Sequence, residues 1–221
     1  MLDLLSVDKI AFTVLDYPMS YIELVGTLLY LWSVWLISKK NMLTWPVGIV
    51  SVLLYMALFY QIRLYSDTFE QIYYLGASIY GWWWWLTSRE AMDDSAGFRY
   101  SSQQTLGWVL GITLVLSVIV GAIMSRVHLW LPVLFPEAAS FPYLDALTTI
   151  MSFTAMWLMA RKRIESWHYW IVVDIIGIWL YYVKEVRFIS LLYVILLIMA
   201  INGLRMWHKT FKASEDLMYQ S

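Results

Sequence analysis

A helix that crosses a bilayer needs about 17–25 mostly apolar residues, because the hydrocarbon core is about 30 Å thick and a helix rises about 1.5 Å per residue. Stretches of that kind, poor in charge, recur along this chain at 21–38, 43–62, 67–88, 104–125, 143–160, 166–183 and 188–207. Asp174 stands out as the acid inside the sixth. Seven spans take up most of the 221 residues, which leaves no room for a water-soluble domain. Composition agrees: 61% of residues are hydrophobic and 14% charged, against about 45–50% and about 25% in soluble domains. The expected fold is an all-α integral membrane protein with seven transmembrane helices.

Several function classes drop out on composition and motifs. A formal net charge of −1 provides no basic face for nucleic acid. Cysteine is absent, which excludes disulfides and thiol-based metal or redox sites. His128, His168 and His208 fall in loops or at span ends without metal-ligand spacing. Phosphate-loop, nucleophile-elbow and zinc-protease motifs are missing. The reading is therefore a non-enzyme with no cofactor, whose partners are membrane lipid and a small molecule. Fourteen Trp and sixteen Tyr exceed what packing asks for; such rings form interfacial belts or stacking platforms.

Loop charge predicts the orientation. Lys39, Lys40, Arg89, Arg99, Arg161, Lys162, Arg163, Arg205, Lys209 and Lys212 fall on one side, and Lys9, Arg63, Arg126, Lys184 and Arg187 on the other. The richer side is expected to be cytoplasmic, with the N-terminus outside and the C-terminus inside. Segment 1–20 lacks a basic stretch followed by a long apolar run, so it does not resemble a cleaved signal peptide. Its apolar residues Leu2, Leu5, Ile10 and Val14 recur at helical spacing, which predicts a short interfacial helix, with a frayed tail as the alternative.

Sliding the chain against itself by 122 residues aligns Glu23 with Asp145, Trp35 with Trp157, Lys39 and Lys40 with Arg161 and Lys162, and Trp45 with Trp167. Tyr60 then meets Tyr182, Gly81 meets Gly203 and Trp85 meets Trp207, all without a gap. The expected plan is a first three-helix repeat over 21–88, a linker over 89–142 with the fourth span and an outer loop, and a second repeat over 143–207. A cytoplasmic tail would follow over 208–221. The fourth span returns the chain to its starting side, so the repeats are parallel in a 3+1+3 arrangement, as in transporters built of two rocking halves. Gly107 and Gly111 in the fourth span read as a close-packing or oligomer contact.

An asymmetric ligand needs unlike groups from the two halves, so the breaks in the repeat are candidate site positions. Asp174 stands opposite Val52, and Asn202 opposite Tyr80. A carboxylate in mid-span costs about 2.5–3.5 kcal/mol on insertion scales and is kept where it faces a cavity or a partner. An interhelical hydrogen bond or a protonated acid is the plainer role for Asp174. Trp167, Trp170 and Asp174 share one helical stripe suited to a flat, cationic ring, with an interfacial belt the plainer role for Trp167. The first repeat contributes Trp45, Tyr55, Gln61, Gln71 and Tyr80 as candidates, and Tyr182 completes the set.

The run Trp45-Pro46-Val47-Gly48 with Tyr55, the turn Leu64-Tyr65-Ser66-Asp67, Gln71-Ile72-Tyr73-Tyr74, Ser78-Ile79-Tyr80-Gly81-Trp82, Trp167-His168-Tyr169-Trp170 and Asn202-Gly203 together resemble the PnuC family of bacterial nicotinamide riboside transporters. The resemblance spans roughly 21–207. It implies facilitated uptake of a pyridine nucleoside across the inner membrane without ATP, by alternating access, on a fold like a doubled SWEET protein that assembles as a trimer. It places the family's Trp-x-x-Trp on Trp167 and Trp170 and its last-span polar residue on Asn202. The family's Trp three residues beyond that Asn is absent, since position 205 is Arg. Transport of thiamine or another nucleoside or sugar on the same scaffold, or a non-transporting vitamin-binding subunit, are the competing expectations.

Overall fold

The computed structural model describes residues 6–14, 17–87, 97–133, 135 and 137–220. Its helices are α1 (Tyr21–Ser38), α2 (Thr44–Gln61), α3 (Tyr65–Thr87), α4 (Gln103–Met124), the single turn α5 (Val127–Trp130), α6 (Pro142–Ala160), α7 (Ser166–Val183) and α8 (Arg187–Gln220). Local chemistry marks their ends. The Ser20 and Ser102 hydroxyls accept from the amides of Glu23 and Thr105, capping α1 and α4. Pro142 opens α6, where a missing amide hydrogen does no harm.

Four helices, α1, α2, α4 and α8, are long and apolar enough to cross a membrane by length and composition. The remaining long helices, α3, α6 and α7, have the length but carry more polarity. Glu70, Gln71 and Ser78 lie on α3, Ser152 on α6 and Asp174 on α7, and all of these face the interior.

The two halves repeat each other in detail. Residue Lys40, just past α1, has φ 60°; Lys162, 122 positions on, has φ 56°. Arg63 and Glu185, separated by the same offset, both have φ 62°. Each is the left-handed residue of a Schellman cap: Asn41, Leu64, Arg163 and Val186 donate back to the carbonyls of Leu36, Phe59, Leu158 and Tyr181. The helices pack as α1 on α2 and α2 on α3, then α6 on α7 and α7 on α8, with α3 against α6 and α1 against α8 joining the sets. Helix α4 lies outside this bundle against α6, where Tyr143 fills the space that a side chain at Gly121 would need. Gly107 and Gly111 have no neighbour where a Cβ would stand, so the close approach of α4 is at Gly121 instead.

One expectation changes. The N-terminal segment is not helical over its described part: β1 (Ile10–Val14) pairs antiparallel with β2 (Tyr17–Ser20). Ile10, Phe12, Thr13 and Val14 favour a pleated strand, and Pro18 could not continue a helix. Leu2 and Leu5 lie outside the described residues. The fold is thus helical apart from this hairpin. Helix α8 runs without a break to Gln220; 208–216 contains no Gly or Pro, and Phe211 packs on Tyr100. The described part of the segment between α3 and α4 contributes to the core. Phe98 is buried edge-on between Trp85 and Trp207, and Arg99 bridges to Arg163.

That core closes one end of the bundle. Trp85 donates its indole N–H to the carbonyl of Ala160 at 3.0 Å, and Trp207 donates to that of Ile37 at 3.1 Å. Each third helix is thereby tied to the first helix of the other half. Trp45 packs on Gly81 and Trp167 on Gly203, so closely that a Cβ at either glycine would lie within 2.5 Å of the indole.

Candidate functional site

Between α1, α2, α3, α6, α7 and α8 lies a cavity of about 600 Å³. The Trp45, Trp85, Trp167 and Trp207 layer borders it at one end. At the other end stands the hairpin, whose Tyr17 and Pro18 line it. Contacts among the described residues hold this N-terminal segment down. The Val7 amide donates to Gln61 Oε1 at 3.2 Å, the Tyr17 hydroxyl donates to Glu23 Oε1 at 2.7 Å, and the Tyr17 ring stacks on Phe188. Burial and the neighbouring Glu23 carboxylate hold the Tyr17 phenol above its ordinary pKa, so it stays a donor there.

Six of the ten sequence candidates line this cavity: Trp45, Tyr55, Gln71, Trp167, Trp170 and Asp174. Trp167, Trp170 and Asp174 share the face that their spacing predicted. Asp174 is 2% exposed, and among the described residues neither a hydrogen bond nor an ion pair reaches its carboxylate. The indole N–H groups of Trp45 and Trp167 are likewise buried without an acceptor. Tyr55 is fixed by a 2.6 Å hydrogen bond with Thr27.

The other four lie elsewhere. Tyr182 is 69% exposed on the outer surface of α7, and Asn202 is exposed on α8. Tyr80 stacks on Trp157 and accepts a hydrogen bond from Arg161 at 3.3 Å, outside the cavity. Gln61 ends α2 and holds the hairpin. The helical phase of α8 turns Asn202 away from the cavity that Asp174 faces. Ser78 and Ala200, two residues before Tyr80 and Asn202 respectively, are the ones that face inward.

Sequence reasoning missed Glu23, Tyr30, Asp67, Glu70, Tyr74 and Tyr193, all in the lining. Glu70 accepts from the Thr149 hydroxyl at 3.1 Å. The signal was there: Glu23 and Glu70 sit inside runs read as spans, and each merited the question put to Asp174. Asp67 and Glu70 stand three apart and Gln71 four from Asp67, on one face of α3.

A cavity lined by six helices, floored by tryptophan and carrying a buried acid and two indole donors without protein partners among the described residues, is the kind of site in which a membrane bundle holds a small polar solute. Comparison with known proteins agrees. The family described as "Nicotinamide mononucleotide transporter" matches residues 20–209. The nicotinamide riboside transporter PnuC of Escherichia coli (strain K12) is 32% identical over 208 residues, covering 86% of each chain. The riboflavin/roseoflavin transporter RibM of Streptomyces davaonensis is 26% identical over 198 residues, covering 89% of each. A crystal structure of the vitamin B3 transporter PnuC superposes with a TM-score of 0.65 at 22% identity, covering 87% of this chain and 83% of that one. The chain belongs to the PnuC family of membrane transporters.

Proposed function

We propose that this protein takes up nicotinamide riboside across the bacterial cytoplasmic membrane by facilitated diffusion, through alternating access of two halves. Helices α1–α3 and α6–α8 are the halves and α4 is the linking span, in a seven-span 3+1+3 plan with the N-terminus outside and the C-terminus in the cytoplasm. Loops 39–43, 97–102 and 161–165, which are rich in Lys and Arg, gather at the tryptophan end; that end is the cytoplasmic one on the positive-inside rule. By family resemblance the working form is a homotrimer.

The observation that carries this reading is the stripe of Trp167, Trp170 and Asp174 along one wall of the cavity, which polar groups on α3 also line. Indole planes suit the pyridine ring, and Asp174, Gln71 and Trp45 suit the ribose hydroxyls and the carboxamide as acceptor and donors. The named relative from Escherichia coli carries the same substrate in its description.

Reconstituted in liposomes, the protein should equilibrate labelled nicotinamide riboside saturably without ATP or an imposed ion gradient. Uptake only of riboflavin or thiamine would reassign the substrate, and binding without uptake would make the chain a binding subunit. Trp167→Ala and Trp170→Ala should each weaken binding by about 1–3 kcal/mol, or about 5–150-fold, with Trp→Phe much milder. Equal, small losses for all four variants would make the two residues packing groups of the cavity wall and not ligand contacts.

A further inference from the structure

The cavity's polar lining is one-sided in sign as well as in place. Glu23, Asp67, Glu70 and Asp174 contribute carboxylates, and no Lys, Arg or His is among the described residues that line it. Lys184 lies near the outer end but is engaged at the surface with Asp145, at 3.2 Å. Two of the four acids have hydroxyl partners, Tyr17 for Glu23 and Thr149 for Glu70. Asp174 has none among the described residues and is almost wholly buried. A carboxylate kept inside a bundle without a cation is an expensive arrangement unless an occupant supplies the charge. Tyr30, Tyr55, Tyr74, Tyr193 and Trp170 line the same space, and aromatic faces also favour a cation.

We propose that Glu70 and Asp174 together select the charge of the transported molecule, so that the cavity takes an organic cation in preference to a neutral molecule of the same shape. This rests on the transport reading above but adds a separate demand, since the stacking walls alone would accept a flat neutral ring. Glu70 projects from α3 and Asp174 from α7, so the cation would lie between unlike halves. Their repeat partners, Leu192 and Val52, are both apolar and also line the cavity, which fixes the direction in which a charged ligand can face.

The test measures binding to the purified full chain of nicotinamide riboside and thiamine as cations, and dihydronicotinamide riboside as a neutral near-isostere. The expected order is cation, then neutral, with at least about 10-fold between the riboside and its dihydro form. Glu70→Gln and Asp174→Asn should each shrink that ratio several-fold, mainly by weakening the cation. Glu70→Asp should keep the preference, which separates charge from shape. Equal affinity for the riboside and its dihydro form, or a ratio unchanged in both amide variants, overturns charge selection while leaving the transport reading intact. Thiamine binding without riboside binding, still weakened by both variants, supports charge selection and overturns the nicotinamide assignment. Binding of none of the three overturns both.

Discussion

Helices α3 and α8 occupy equivalent places in the two repeats and face the same cavity with opposite chemistry. Asp67, Glu70, Gln71, Tyr74 and Ser78 of α3 line it; 122 residues on, Ile189, Leu192, Tyr193, Leu196 and Ala200 of α8 line it too. The second helices divide the other way. Trp45, Gly48 and Val52 of α2 correspond to Trp167, Trp170 and Asp174 of α7, and all six positions are in the lining. The backbone keeps the symmetry at caps and tryptophan floors while the lining departs from it. A doubled scaffold gives two equivalent half-sites, and substitution then makes one wall polar and another aromatic, as a ligand with unlike faces requires.

The largest effect should come from breaking what the halves share. Gly81→Ala and Gly203→Ala each place a methyl group within 2.5 Å of a buried indole ring. Since the ring is already packed, each should cost about 1–3 kcal/mol or more, read as a lower unfolding temperature in detergent. Gly107→Ala, where nothing lies within 4 Å, is the control and should be neutral or slightly stabilising. Loss at one glycine only would show that the two floors bear unequal load.

Breaking what the halves do not share should act on binding instead. Asp174→Asn should lower nicotinamide riboside affinity at least about fivefold, because a buried polar group deprived of its partner costs about 1–3 kcal/mol. The empty protein should unfold near the wild-type temperature, given that no protein group in the described structure bonds to Asp174. Val52→Ala, its repeat counterpart, should change affinity much less. Unfolding by Asp174→Asn with unchanged affinity in the surviving fraction would make the carboxylate a structural tie.

These contrasts also show what the sequence made legible. Rare residues at a constant offset, Trp45 with Trp167 and Gly81 with Gly203, announced a geometry that recurs almost atom for atom, because packing a large ring on a glycine needs both partners together. Period along α7 placed Trp167, Trp170 and Asp174 on one face, since helical phase is local. The wall on α3 was harder to see, because Glu70 lies in a helix already assigned to the membrane and its exposure depends on α6, distant in sequence. The hairpin was missed for a related reason. Its strands are short, and they are held by Gln61, Glu23 and Phe188, contacts that no local pattern encodes.

A smaller effect belongs to the helix ends. Lys40, Arg63, Lys162 and Glu185 hold left-handed backbone without being glycine, a conformation that costs an L-residue about 1–2 kcal/mol. Arg63→Gly and Glu185→Gly should therefore each raise thermal stability by up to about 1 kcal/mol, offset in part by the greater freedom of glycine when unfolded. Because the two sites match at φ 62°, the gains should be similar. A loss at either would mean that its side chain contributes more than the strain removed.

The smallest effect is expected where the repeat is broken outside the cavity. Asn202 and Tyr80 differ in sequence as sharply as Asp174 and Val52 do, so sequence alone ranks them together. Their surroundings separate them: Asn202 is exposed on α8, and Tyr80 stacks on Trp157 and meets Arg161, beyond the lining. Difference between repeats marks a binding position only where the helical phase also points it inward. Asn202→Leu should thus leave nicotinamide riboside affinity within about twofold of wild type, the scale of exposed substitutions at about 0.5 kcal/mol. Tyr80→Phe should do the same while losing only its contact to Arg161. A loss at Asn202→Leu as large as at Asp174→Asn would show that α8 rotates to bring Asn202 inward in another state of the transport cycle. The static lining of this conformation would then be half of the site.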